Sequence, residues 1–215
     1  EDRTTIIKDE NGNITHYEGI LVDISQRKNI EEENHFKTEF ERKIASISTY
    51  FVNLQLKDIN KALSFTTKTF GHFLEADRSY IVLLNSKNEF IVRAEFIKDD
   101  IISSKNNPQI FKMSLYNWLH FSLIKGKPIL VENVEQMSKA AENERKLMNR
   151  FGMKSFLGIP IMVNGMLYGF IGFDSKEING ALTKNFLSLF RLLTEVITNL
   201  YSRYLSELEL TAISD

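Results

Sequence analysis

The pattern of hydrophobic and polar positions changes between a helical and a strand period several times along the chain. Apolar residues spaced three or four apart predict helices, whereas alternating or continuous short apolar runs predict strands. The predicted helices cover residues 29–54, 57–74, 115–124, 138–150 and 183–210. The predicted strands cover residues 4–7, 14–24, 79–84, 90–97, 128–131, 155–163 and 166–173. Helices therefore begin and end the larger part of the chain, with strands between them.

Two Asn-Gly pairs mark tight turns between strands. Asn11-Gly12 predicts a hairpin near the start, although two strands are too few to hold a core alone. Asn164-Gly165 joins two strands that are apolar on both faces. We therefore expect this second hairpin at the centre of a sheet that is covered on each side.

The strand at 90–97 alternates more regularly. Its pattern predicts that Phe90, Val92, Ala94 and Phe96 face inward and that Arg93 and Glu95 face outward. Thr183 is predicted to cap the last helix, because threonine is favoured at that position.

The first and last long helices carry apolar stripes that suggest a partner. In the first helix the spacing of four, three, four and three is that of a coiled-coil seam. The same spacing also fits a helix packed on its own domain, but we favour the seam and expect a homodimer through the terminal helices. The predicted dimer residues are Phe40, Ile44, Ile47, Phe51, Leu54, Leu200, Tyr204 and Leu208.

Composition narrows the class of protein. The 215 residues carry 27 basic and 28 acidic side chains, a formal charge of -1, so no basic excess exists to bind nucleic acid or an anionic membrane surface. No apolar run is long enough to span a bilayer. We expect a cytoplasmic piece of a longer protein, since the chain begins at Glu1 rather than Met and has no signal peptide.

The chain offers little for catalysis or metal binding. It has no cysteine, which excludes disulfides, thiol nucleophiles, cysteine-ligated zinc and thioether-linked cofactors. The four histidines are scattered, and no phosphate loop or nucleophile elbow is present. We therefore expect no enzyme activity and no metal in this part of the protein, and no cofactor is evident.

Two segments near the start resemble the last hairpin and exit motif of a PAS domain. They are residues 9–14 (Asp-Glu-Asn-Gly-Asn-Ile) and 19–28, which end in Asp23-Ile24-Ser25-Gln26-Arg27-Lys28. The resemblance implies an ion pair between Asp23 and Arg27 (or Lys28). It also implies that residues 1–28 are the end of a truncated PAS domain and that residues 29–43 form a signalling linker helix.

Four further stretches together resemble a GAF domain. They are residues 76–81, 126–131, 152–161 (Gly-Met-Lys-Ser-Phe-Leu-Gly-Ile-Pro-Ile) and 165–174 (Gly-Met-Leu-Tyr-Gly-Phe-Ile-Gly-Phe-Asp). The resemblance covers residues 44–205 and leaves 206–215 as the start of an output linker. It implies an α+β fold, in which an antiparallel sheet of about six strands has the terminal helices on one face and a pocket lid on the other.

The same resemblance limits the possible ligands. Family members that hold a bilin covalently do so mainly through cysteine, so a covalent bilin is excluded here. The Asn-Lys…Phe…Asp-Glu pattern of members that bind cyclic nucleotides is not visible. An apolar pocket with a few polar groups remains possible, although its aromatic residues also fit an ordinary core. The candidate pocket residues are Phe96, Phe111, Met113, Asn117, Trp118, Phe121, Met148, Ser155, Phe156, Phe170 and Asp174.

These observations predict a regulatory module rather than an enzyme. We expect a dimeric sensory domain of a signalling protein of the histidine-kinase type, relaying upstream PAS or ligand signals through its helices to an effector. The alternative is a GAF domain whose main role is to bind an unidentified small molecule, attached to a cyclic-dinucleotide enzyme or a transcription regulator.

Overall fold

A computed structural model describes residues 2–85, 87, 89–98, 110–177 and 187–214. The chain divides into two compact units, residues 1–39 and 40–215. The strands are β1 (Asp2–Lys8), β2 (Ile14–Leu21), β3 (Arg78–Leu84), β4 (Glu89–Ile97), β5 (Ile110–Lys112), β6 (Ile129–Val131), β7 (Ser155–Val163) and β8 (Met166–Ser175). The helices are α1 (Ser25–Val52), α2 (Ile59–Phe73), α3 (Asn117–Leu123), α4 (Glu142–Arg150) and α5 (Phe190–Ser214).

The first unit contains the predicted hairpin and the first part of α1. β1 and β2 pair antiparallel, and the Asp9 side chain closes the turn by accepting hydrogen bonds from the backbone N–H groups of Asn11 and Asn13. The predicted pair between Asp23 and Arg27 is wrong. Asp23 instead accepts a hydrogen bond from the backbone N–H of Ser25 at the start of α1, and Arg27 pairs one helical turn onward with Glu31 at 2.8 Å.

The second unit is built on a six-stranded antiparallel sheet in the order β5-β4-β3-β8-β7-β6. The α+β class and the antiparallel sheet are therefore as predicted. β8 lies at the centre of the sheet, as expected for the second hairpin, and its other neighbour is β3. Sequence analysis missed β5, which has only three residues and follows a polar stretch.

One face of this sheet is covered by α2, α5 and the second half of α1. Phe40 of α1 lies 5.1 Å from Phe70 of α2 and 5.3 Å from Phe190 of α5, measured between ring centroids. Phe190 in turn contacts Phe173 of β8. The aromatic rings thus join both long helices to the central strand.

This packing corrects the predicted dimer seam. Phe40, Ile47, Phe51 and Leu200 are already buried within a single chain, so they have no surface left to offer a second copy. Ile44, Leu54 and Tyr204 are half-buried, and the side chain of Leu208 lies outside the described residues. The spacing of four and three is produced here by helices of the same chain, which is the other interpretation that the sequence allowed.

The other differences concern element ends. Residues 187–189 form a turn and α5 begins at Phe190, later than predicted; Thr183, the predicted cap, lies outside the described residues. In β4 the register shifts opposite Ile81 and Val82. As a result Phe90 and Val92 face one side of the sheet while Ala94 and Phe96 face the other, and the side chain of Glu95 is buried rather than outward.

Candidate functional site: a cavity under helices α3 and α4

The second face of the sheet carries a cavity of about 60 Å³ beneath α3 and α4. Because strand side chains alternate between faces, Tyr80 and Val82 of β3 point into it while Ile81 packs on the opposite side. The cavity is lined by Arg78, Tyr80, Val82, Phe90, Val92, Tyr116, Leu119, Glu144, Leu147, Met148, Phe151, Met153, Phe156 and Phe170. One water needs at least about 10–15 Å³, so the cavity holds a few waters or one compact molecule.

Hydrogen bonds fix the two helices above the cavity to each other. The buried carboxylate of Glu144 accepts a hydrogen bond from the backbone N–H of Leu119 at 3.0 Å, and the amide of Asn143 donates to the carbonyl of Leu115 at 2.9 Å. The first of these bonds also satisfies a free N–H near the start of α3. These side chains therefore hold α3 and α4 as one cover over the cavity.

An ion pair lies at one end of the cavity. Nη2 of Arg78 donates to Oε1 of Glu95 at 3.0 Å, with both side chains almost completely buried. The guanidinium carbon also lies 5.4 Å from the ring centre of Tyr80 and 4.7 Å from that of Phe151, within cation–π range. Two aromatic rings and one carboxylate thus hold the charge of Arg78 inside the protein.

Asp174 is the cross-strand partner of Arg78 in the sheet and is 2% exposed. Burial raises the pKa of its carboxyl to about 7, although the nearby Arg78 and a hydrogen bond with Tyr80 oppose the shift. Burial likewise holds the pKa of the Tyr80 hydroxyl well above its usual value. Asp174 therefore changes its charge near neutral pH, whereas Tyr80 remains neutral.

Gly172 of β8 makes room for this arrangement. The ring of Tyr80 lies across the glycine so closely that a Cβ atom there would overlap the ring and its hydroxyl. Tyr80 can therefore lie flat along the sheet and reach Asp174, two residues further along the same strand face. Any larger residue at position 172 would displace the tyrosine.

Three of the residues predicted from the sequence line the cavity: Met148, Phe156 and Phe170. Trp118 is half-buried and packs against the surrounding apolar cluster, and Asp174 lies beside the cavity next to Tyr80. The side chains of Phe111 and Met113 lie outside the described residues.

The remaining four predicted residues lie elsewhere. Asn117 and Phe121 are exposed, because α3 turns Leu119 and Leu123 inward instead. Phe96 packs against His72 on the opposite face of the sheet, a consequence of the shifted register in β4. The Ser155 hydroxyl donates to the backbone carbonyl of Glu177 at 3.0 Å.

Sequence analysis missed the polar residues of the site: Arg78, Tyr80, Glu95, Tyr116 and Glu144. A usable signal existed for the first two, since alternation along β3 places positions 78, 80 and 82 on one face. No comparable signal existed for Glu95, whose orientation depends on the irregularity in β4.

Fold and cavity together define a sensory domain of the kind that places a ligand pocket between an antiparallel sheet and short cover helices. The GAF domain family matches residues 58–199, more than half of the chain, and the chain belongs to this family. GAF domains are sensory and non-catalytic. Among the described helices, none combines the length and apolar character needed to cross a bilayer.

The chain is also similar to particular proteins. It is 27% identical over 175 residues to the methanogenesis regulatory histidine kinase FilI of Methanothrix harundinacea, covering 78% of this chain but only 19% of the kinase.

Two solved structures show the same fold. One is the chromophore-binding domain of the bacteriophytochrome RpBphP3 from R. palustris, with a TM-score of 0.68 and 14% identity over 80% of this chain and 63% of that one. The other is the phycocyanobilin-bound GAF domain of a cyanobacterial phytochrome, with a TM-score of 0.64 and 18% sequence identity; the match covers 79% of this chain and 96% of that one.

A bilin held through a thioether to cysteine does not fit this chain, because the chain has no cysteine. The shared fold is therefore no evidence that this chain binds such a chromophore.

Proposed function

We propose that this chain is the sensory relay module of a signalling protein of the histidine-kinase type. In this proposal α1 brings the upstream signal, from a PAS domain that ends in the β1–β2 hairpin, and α5 carries the output to an effector. The similarity to a regulatory histidine kinase supports the kinase over a cyclic-dinucleotide enzyme or a transcription regulator as the effector.

The observation that carries the proposal is the direct link between α1 and α5. Besides the contact between Phe40 and Phe190, Nη2 of Arg203 on α5 donates to the backbone carbonyls of Phe51 and Leu54 at 3.0 and 3.4 Å. These carbonyls lie at the C-terminal end of α1 and just beyond it, and the Phe51 carbonyl also accepts a hydrogen bond from the backbone N–H of Leu54 at 3.3 Å. A shift of α1 is therefore passed to α5 without requiring the sheet to deform.

The cavity supports a second input to the same helices. Phe173 and Asp174 are neighbours on β8, and their side chains lie on opposite faces: Asp174 beside the cavity, and Phe173 against Phe190 of α5. A change in the cavity that moves β8 therefore reaches the output helix through one residue. Such a relay requires two conformations of the module, and each input must shift the equilibrium between them.

We further propose that the module acts as a homodimer, through helix surfaces other than the predicted seam. Ala45, Thr49 and Val52 of α1 are exposed in the single chain and lie on one face of that helix at spacings of four and three. Such a face can pair with its copy in a second chain, while the buried seam residues stay within each domain.

Single cysteine variants test the dimer, because the chain has none of its own. In Thr49→Cys, mild oxidation should give a disulfide-linked dimer, since the two copies would meet within the Cα separation of about 4.4–6.8 Å that a disulfide requires. Lys139→Cys, exposed beside α4 on the other side of the sheet, is the matched control and should stay monomeric. Equal cross-linking of both variants, or of neither, would contradict the proposed surface.

Distance measurement tests the relay. Spin labels on Ser46→Cys and Asn199→Cys, both exposed and both outside the proposed dimer face, report the separation of α1 and α5. Adding Val92→Phe fills the cavity and should change that separation by about 1–2 Å, the size of helix shifts in known switches. Adding Phe121→Tyr, an exposed change on α3, is the control and should leave it unchanged. If the filled cavity leaves the distance distribution untouched, the cavity does not communicate with the helices.

A further inference from the structure

The charged end of the cavity holds more polar atoms than the protein itself satisfies. Nε and Nη1 of Arg78 and Oδ2 of Asp174 are buried and have no hydrogen-bond partner among the described residues. Arg78 as a whole is 6% exposed and Asp174 is 2% exposed. Buried polar groups in native proteins are nearly always hydrogen-bonded, so three such atoms on one cross-strand pair indicate a missing partner.

The charges already present determine what kind of partner this is. Glu95 neutralises Arg78 through the ion pair at 3.0 Å. In its carboxylate form Asp174, together with Glu144 further along the cavity wall, adds negative charge. An anionic ligand would therefore bring a second uncompensated negative charge into a buried site, which is strongly unfavourable. A cation such as an ammonium group offers only donors, so it would leave the two N–H groups of Arg78 unsatisfied. An uncharged ligand meets neither penalty.

The unsatisfied atoms define the polar edge of that ligand. The two N–H groups of Arg78 require acceptors, and Oδ2 of Asp174 in its carboxylate form requires a donor. A carbonyl oxygen beside an N–H group, the edge of an amide, supplies both. The rest of the cavity wall is mainly aromatic and aliphatic, and its volume of about 60 Å³ admits only a compact molecule.

We infer that the cavity binds a small uncharged molecule with an amide-like edge, its carbonyl oxygen accepting from Arg78 and its N–H donating to Asp174. The apolar part of the ligand lies against the aromatic wall formed by Phe90, Phe156 and Phe170. This inference rests on the sensory role proposed above and names the chemical class of the signal.

Phe151 controls access to this edge. It follows α4 directly, is half-buried, and its ring covers the guanidinium of Arg78 at 4.7 Å. Since the unsatisfied atoms have almost no accessible surface, the ring of Phe151 must turn aside before a ligand reaches them. Binding therefore requires the Phe151 side chain, which lies between α4 and β7, to rotate away from Arg78.

Three small molecules of nearly the same shape test the inference. Acetamide is neutral and both accepts and donates, acetone is neutral and only accepts, and acetate is charged and only accepts. Each is titrated into the full chain while the ¹⁵N–¹H signal of the Arg78 side chain is followed by NMR. We expect acetamide to bind at least about tenfold more tightly than either of the others, because only it satisfies both partners.

Variants connect the selectivity to the named residues. Arg78→Met combined with Glu95→Gln removes both charges of the pair, which avoids leaving one buried and unpaired. Acetamide should then lose its advantage over acetone, with the Phe170 ring signals as the readout. Phe151→Ala should speed binding of acetamide and leave the order of the three molecules unchanged.

Each other outcome overturns the inference. Acetate binding as tightly as acetamide would show that the site accepts an anion. No saturable shift with any of the three would show that trapped water alone satisfies these atoms. The relay is judged separately, by the distance between α1 and α5: failure of acetamide to bind does not alter that measurement, and binding without a change in distance would remove the relay but keep the site.

Discussion

The two faces of the central sheet are built from the same strands and differ in what they bury. Toward α1, α2 and α5 the strands present Ile81, Ile171 and Phe173. The helices pack Phe40, Phe70 and Phe190 against this face. Toward α3 and α4 the same strands present Arg78, Tyr80 and Asp174. The first face, which we call the helix face, packs aromatic rings against one another. The second, which we call the cavity face, retains a cavity and unsatisfied polar atoms.

This difference indicates which face is structural and which is adaptable. Close-packed apolar contacts stabilise one arrangement, and any displacement of the side chains loses part of that stabilisation. Buried charges depend on partners, and they favour different arrangements as those partners are gained, lost or protonated. The helix face is thus suited to fix α1 and α5 to the sheet, and the cavity face is suited to respond to a signal.

The largest effect is expected on the helix face. Phe40→Ala should lower the free energy of unfolding by about 3–5 kcal/mol, because it leaves a hole among Phe70, Phe73 and Phe190. Urea denaturation at low protein concentration measures it. Ser46→Ala, exposed on the same helix and outside the proposed dimer face, is the control and should change stability by less than about 0.5 kcal/mol. A Phe40→Ala variant that loses only dimer, with monomer stability intact, would restore the seam that the structure contradicts.

On the cavity face, loss of one charge should be more harmful than loss of two. Arg78→Met should destabilise the protein by about 3 kcal/mol, because it leaves Glu95 buried without its partner. Adding Glu95→Gln should recover part of that loss. Both variants are compared by urea denaturation at pH 7. If the double variant is less stable than Arg78→Met, the ion pair is not the main role of these residues.

Asp174, on the cavity face, should make the stability of the protein fall as pH rises. Its pKa is about 7 in the folded protein and near 3.8 when unfolded, so between these values the folded state holds the additional proton. Stability from this group is therefore lost as pH rises from about 4 to 7, on the order of 4 kcal/mol in total.

Asp174→Asn, which cannot ionise, should flatten this slope and raise the melting temperature at pH 8. Thermal unfolding measured from pH 4 to pH 8 checks both effects. The Glu10→Gln variant serves as the control, since Glu10 is an exposed carboxyl in the turn between β1 and β2, in the other unit of the chain. Equal slopes in Asp174→Asn and the unmodified chain would mean that Asp174 is already ionised throughout this range.

The smallest expected change in stability is on the outer side of α3, and it is compared with a substitution on the inner side. Phe121→Ser should change stability by less than about 0.5 kcal/mol, because the ring is 59% exposed. Leu119→Ala, on the inner side of the same helix and at the cavity wall, should cost about 2–3 kcal/mol. Similar losses in the two variants would mean that α3 turns a different side to the sheet.

Local patterns were enough to predict most of the fold. The helical period of α1 and α2, the Asn-Gly turns and the apolar runs of β3, β7 and β8 are all set by nearest neighbours, and each element lies where its pattern indicates. The order of helices and strands then favoured an α+β domain. Apolar residues facing the cavity, such as Met148 and Phe170, were also predictable, because they belong to strongly patterned segments.

Only the tertiary structure decided which surfaces meet. A stripe of Phe40, Ile47 and Phe51 is the same sequence signal whether the helix meets a second chain or its own domain, and the packing of α2 and α5 resolved it in favour of the domain. A register shift in β4 turned Glu95 inward against its apparent alternation, and so created the ion pair with Arg78. Contacts between residues far apart in sequence leave no local periodicity, and for that reason Arg78, Glu95 and Glu144 were absent from the prediction, whereas Asp174 and part of the apolar wall were present.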